Sequence, residues 1–116
     1  MRVLALPAAA LLFLAAAGAD AACPRPSATP PAVPNGNTAT EENMKAAHDA
    51  IQGYVNQLEA YKACLKDQAE HAPADTPREL AITWLAQGDA AVDYASFIAA
   101  EFSTALKEFK AHQAPK

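Results

Sequence analysis

The chain has 116 residues, is 52% hydrophobic and 19% charged, and carries a formal net charge of −4. This length suits one domain. The mild acidity excludes both the basic stripe of a nucleic-acid binder and the polybasic segment of a protein held on an anionic membrane surface.

The chain opens with the pattern of an export signal. Arg2 supplies a positive n-region, Val3 to Ala17 is almost wholly apolar, and Ala19-Asp20-Ala21 forms a small-x-small cleavage pattern. A membrane anchor is the competing reading, but a spanning helix needs about 20 apolar residues. This run is shorter and is interrupted by Pro7. A lipoprotein signal places an aliphatic residue three positions before its cysteine, where this chain has Asp20. Residues 1–21 are therefore expected to be a cleaved signal peptide, leaving a periplasmic or secreted chain with no stable membrane insertion. Arg2 and Asp20 leave together, so the net charge stays at −4. In that compartment thiols are oxidised, which bears directly on Cys23 and Cys64.

Residues 22–37 form a separate zone containing C-P-R-P-S-A-T-P-P-A-V-P-N-G-N. Its prolines fix φ, remove backbone donors and favour polyproline II, and Asn35-Gly36 signals a turn. Composition alone fits a flexible spacer. The position of Cys23 at its head favours a strap instead.

A helical hairpin is expected over 38–112. From Thr38 the period changes. Thr38-Ala39-Thr40-Glu41 offers a capping box. Met44, Ala47, Ile51, Tyr54, Leu58, Tyr61 and Leu65 then recur at alternating intervals of three and four, one continuous apolar seam. Gly53 weakens this helix by about 1 kcal/mol against alanine. The run ends at His71-Ala72-Pro73, because the residue before proline is driven out of the helical region. The spacing predicts a helix over about 40–70.

A second start follows at Thr76-Pro77-Arg78-Glu79, with a Thr cap, Pro at the first helical position and Glu at the third. Trp84, Gly88, Ala91, Ala95, Ile98, Phe102, Ala105 and Phe109 repeat the four-three spacing and predict a helix over about 77–110. Two long helices with a short connection give an antiparallel hairpin. Centring the turn near Pro73 sets Leu58 opposite the Gly88 region and Ile51 opposite Ala95, to within about one turn. The expected fold is all-α: a long two-helix hairpin with an N-terminal Pro-rich extended strap.

Cys64 lies near the end of the first helix, about 35 Å from its start at 1.5 Å per residue. Residues 23–40 in polyproline II span about 50 Å, so Cys23 reaches it with the strap antiparallel to that helix. A Cys23–Cys64 disulfide is the preferred pairing, the alternative being free or intermolecular cysteines. Pro30, Pro31 and Pro34 are expected on the rings of Tyr54, Tyr61 or Trp84.

Candidate chemistry is sparse. Met44 and His48 share a helix face and suit a soft metal such as copper, while His71 and His112 fall in the turn and the tail. Asp89 and Asp93 sit one turn apart, a pattern more common on a solvated face. Ser96 and Ser103 lie inside a helix with no strand-to-helix elbow. No cofactor and no catalytic residue is expected, and the chain is read as a non-enzyme.

The runs P-x-x-P-x-G at Pro31, Pro34 and Gly36, A-T-E-E-N-M at Ala39 to Met44, and Y-x-x-C-L at Tyr61, Cys64 and Leu65 carry a resemblance. They resemble a group of small exported Gram-negative bacterial proteins of unknown function. The resemblance covers about residues 23–65 and implies a cell-envelope location, with no catalytic residues to carry over. The expected function is a non-catalytic envelope protein that binds an unknown protein partner or itself. Ile82, Leu85, Val92, Phe97 and Leu106 flank the main seam and point to a homodimer. The alternative is a small periplasmic metal or ligand binder using Met44 and His48.

Overall fold

The structure, a computed structural model, describes residues 23–113. It contains two helices, α1 (Glu41–Glu70) and α2 (Arg78–Gln113), packed against each other as a hairpin. The expected signal peptide, 1–21, lies outside the described residues.

The start of α1 is set by the turn before it. The Asn35 carbonyl accepts from the amides of Thr38 and Ala39 at 3.1 and 2.9 Å, and Asn35 Oδ1 accepts from the Asn37 amide at 2.9 Å. Thr38 is thereby held in the turn, and Thr40 becomes the cap. The Asn43 amide donates to Thr40 Oγ1 at 3.1 Å, and the Thr40 amide donates to Asn43 Oδ1 at 3.0 Å. The capping box therefore pairs Thr40 with Asn43, two residues later than the expected Thr38–Glu41 box. Glu41 and Glu42 in the first turn complement the helix dipole. At the other end α2 begins at Arg78, with the Pro77 carbonyl accepting from Leu80 and Ala81.

The apolar seams become the core. Met44, Ile51, Tyr54 and Leu58 of α1 bury against Ala95, Ile98, Phe102 and Ala105 of α2. A second, smaller cluster near the turn holds Cys23, Leu65 and Trp84. Burying one large apolar side chain contributes about 1.5–3 kcal/mol, so the first cluster dominates the hairpin.

The register differs from expectation by one turn. Gly88 sits against Lys62 rather than Leu58; a Cβ there would meet Lys62 Cα at 3.3 Å. Lys62 Nζ reaches Asp89 at 3.1 Å, and the His48 ring lies 5.9 Å from that of Phe102. These pairings centre the hairpin nearer Asp75 than Pro73, and Ala72 packs on the turn-end cluster.

Cys23 is bonded to Cys64 with their Cα atoms 5.7 Å apart. From there the Pro-rich segment runs back to the start of α1. Val33 and Ala39 pack against the main cluster. Gly36 is buried where a Cβ would collide with the Ala105 carbonyl and meet Glu108 Cβ at 2.9 Å. Glycine is required there by close approach to α2.

Candidate functional site

The chain's three tyrosines converge on one groove. Tyr54, Tyr61 and Tyr94 line it with Arg25, Pro26 and Gln87, around a volume of about 450 Å³. Tyr54 and Tyr94 meet edge to face with ring centroids 6.4 Å apart, a favoured aromatic geometry. Burial pushes the Tyr54 phenol above its ordinary value, with Tyr94 adding to the effect. It therefore stays a neutral donor, and its hydroxyl donates to the Ser27 carbonyl at 2.9 Å.

This bond fixes which part of the Pro-rich segment meets the rings. Pro24 and Pro26 lie beside Tyr61, and Cys23 covers Trp84. Pro30, Pro31 and Pro34 were the expected ring contacts. The disulfide sets the register instead, so the rings nearest Cys64 meet the residues nearest Cys23.

At the turn end, the Gln68 side-chain amide lies 3.3 Å from Cys23 Sγ. A disulfide sulfur carries no hydrogen, so the amide bonds it only with the nitrogen turned inward as donor. That orientation turns Gln68 Oε1 into the buried position, where it has no partner among the described residues. Trp84 Nε1 is buried with no partner among the described residues.

A second feature is the outer surface of α2. Phe97 is 56% exposed and Ile82 54%, with Leu80, Leu85 and Tyr94 also exposed. Tyr94 and Phe97 stack with ring centroids 6.4 Å apart. Their three-residue spacing places them side by side on the helix, a signal present in the sequence although Tyr94 lies off the apolar seam. Of the five flanking residues expected to be uncovered, Ile82, Leu85 and Phe97 are. Val92 is half-buried and Leu106 packs against the main cluster.

The Met44–His48 pair divides between core and solvent. Met44 is 4% exposed within the main cluster, while His48 is exposed with Nδ1 3.4 Å from Asp49 Oδ1. Both line an open groove of about 390 Å³ with Phe102, Leu106 and Phe109 as its apolar floor. Asp89 is engaged by Lys62, and Asp93, Ser96 and Ser103 are exposed along α2. His71 closes α1 with Nδ1 3.0 Å from the Asp67 carbonyl and 3.1 Å from its carboxylate. Among the described residues, no three His, Cys, Asp or Glu side chains gather as a metal site requires. No described helix is long and apolar enough to cross a membrane.

No protein-family model, curated protein or solved structure matches this chain.

Proposed function

We propose that this protein is a non-catalytic component of the cell envelope, periplasmic or secreted after removal of residues 1–21, that works by binding proteins through its helical surface. The observation that carries this reading is the exposed aromatic and aliphatic surface of α2, where Tyr94 stacks on Phe97 and Ile82 and Leu85 stand in solvent. Large apolar side chains left in water on a small helical body mark contact surfaces. The buried disulfide suits an oxidising compartment, and the resemblance of residues 23–65 to small exported proteins supports the same address.

The simplest partner is a second copy, giving a four-helix arrangement. Sedimentation equilibrium of the oxidised protein tests it. The expected outcome is a monomer–dimer equilibrium that Phe97→Asp shifts to monomer. A single monomeric species up to high micromolar concentration removes the self-association reading. Crosslinking in intact cells then reports whether another exported protein takes the surface.

The groove beneath Met44 and His48 supports a second reading, a small-ligand or metal binder. Its test is a rise in melting temperature on adding copper or another soft metal, abolished by His48→Ala. An unmoved transition eliminates metal binding there.

A further inference from the structure

The Pro-rich segment is held at two places by different means. Near its C-terminal end Val33 packs on the main cluster, and Gly36 is wedged against the backbone of α2 at Ala105 and Phe109. Near its N-terminal end the hold is a covalent bond, which buries Cys23 to 2% exposure over Leu65 and Trp84. Between these points Arg25, Ser27, Ala28, Thr29 and Ala32 are exposed, and Tyr54 donates across to Ser27.

The two clusters depend on this segment to different degrees. The eight buried residues of the main cluster all belong to α1 and α2. Of the three buried residues at the turn end, one is Cys23 itself. Taking Cys23 away uncovers Trp84 and Leu65; the main cluster loses only the Tyr54–Ser27 bond and the strap wall of the groove beside Tyr54 and Leu58, and its contacts between α1 and α2 remain.

We propose that the Cys23–Cys64 disulfide is a redox latch: its reduction frees the N-terminal half of the strap and uncovers a Trp84–Leu65–Tyr61 surface while the hairpin stays folded. The reductant is a dithiol. One of its thiolates attacks Cys64 Sγ, Cys64 being the less buried partner, and the S–S electron pair departs with Cys23 as a thiolate that takes up a proton. The second thiol of the reductant then attacks the mixed disulfide, closes its own disulfide and releases Cys64, which is protonated in turn. The two cysteines gain two electrons and two protons, and the dithiol loses the same.

Release is local because the wedge at Gly36 persists. The freed end stays tethered through the Asn35–Gly36 turn, at an effective concentration on the order of millimolar. Oxidation therefore re-forms the same intramolecular bond in preference to a link between chains. The surface that opens combines an indole, a phenol ring and a leucine at the turn end of the hairpin. It adjoins the Tyr94–Phe97 surface through the groove that Tyr61 and Tyr94 share, but Trp84 lies in the turn-end cluster, so its exposure tests the latch separately from self-association.

Trp84 is the single tryptophan of the chain, so its emission reports the latch directly. Oxidised protein is compared with protein held in excess dithiol, by tryptophan emission, acrylamide quenching and far-UV circular dichroism. The expected result is a red shift and a severalfold rise in quenching, with the helical signal retained. Trp84 still protected after both thiols titrate free overturns the proposal. Loss of the helical signal together with Trp84 protection overturns it equally, since that is unfolding rather than release. Cys23→Ala, which needs no reductant, is expected to reproduce the reduced state, and oxidised-like quenching in that variant is an overturning result. Tyr54→Phe with the disulfide intact is expected to leave Trp84 protected. If it exposes Trp84 as fully as reduction does, the hydrogen bond is the latch and the proposal falls.

Discussion

The two ends of the hairpin solve the same packing problem with different materials. At the free end, Met44, Ile51, Ile98 and Phe102 interleave, and Val33 packs against them from the strap. At the turn end the helices offer Leu65, Trp84 and the half-buried Tyr61, and the rest of the surroundings are the short Ala69, Ala72 and Ala81. Alanines bring helices close but remove little surface from water, so this end lacks the burial that holds the other. The Cys23–Cys64 bond stands in for it. Closing a loop between residues 41 apart stabilises by up to about 4 kcal/mol in the chain-entropy account. The full amount applies only if the strap must dock for the hairpin to fold. A chain that releases the strap on reduction avoids that closure cost and loses less. Where side chains are short, covalent linkage replaces burial, and it adds a control that burial lacks.

The sharpest way to break this comparison is to cut an equivalent large side chain from each end. Phe102→Ala at the free end is expected to cost about 4 kcal/mol, through lost transfer energy and a cavity that rigid helices cannot close. Leu65→Ala at the turn end is expected to cost about 2 kcal/mol, the low end of the range, because its cluster is small and rimmed by partly buried residues that can shift into the space. Urea denaturation of the oxidised proteins measures both. Equal costs, or a larger one at Leu65, would mean that the turn end carries the fold after all.

How much of this was legible in the sequence follows the same division. The seam from Met44 to Leu65 and that from Trp84 to Phe109 were readable, because burial along a helix imposes a period that survives in the residue order. The disulfide followed from reach, and the helix limits from proline and capping signals. What was not legible depends on contacts between segments. The capping box was misplaced at Thr38–Glu41 because its position depends on the bonds made by Asn35, which hold Thr38 in the turn and leave Thr40 to pair with Asn43. The register hinged on Lys62 seating against Gly88, which no periodicity reports. The ring contacts of the strap were misassigned because the distance from Cys23 sets them, rather than proline density. By contrast, the division of Met44 and His48 between core and solvent was legible, because Met44 lies on the seam and His48 does not.

Glycines give a second and smaller test of how the strap is held. Gly36→Ala would drive a Cβ into the Ala105 carbonyl and the Phe109 amide. Backbone must move to accept it, at an expected loss of about 2 kcal/mol. Gly53→Ala places its Cβ in open space on α1 and is expected to add about 1 kcal/mol of stability by restricting the unfolded chain. The two substitutions are chemically identical, so the opposite signs isolate close approach as the cause. Thermal melts of the pair measure it. A neutral Gly36→Ala would show that the strap lies on α2 loosely and that the disulfide alone holds it.

The smallest expected effect lies at His71, where α1 ends beside the turn. Its pKa is raised above the ordinary 6.5, first by the bond to the Asp67 carbonyl and then by the Asp67 charge, with Glu70 adding to it. The folded chain therefore holds this proton more tightly than the unfolded chain does. The stability it contributes is fully present below about pH 6.5 and is lost as pH rises through the folded value. A protonated imidazole at this position also complements the negative end of the α1 dipole. The side chain is fully exposed, so water and salt screen most of the gain. The expected outcome is a melting temperature slightly higher than that of His71→Gln near pH 5, converging on it near pH 8. Added salt should narrow the difference at the lower pH, because the interactions are with carboxylates and a helix terminus. A difference that stays constant with pH would mean that His71 acts through packing on the turn rather than through its charge. The turn end would then rest on the disulfide and the Leu65–Trp84 cluster alone.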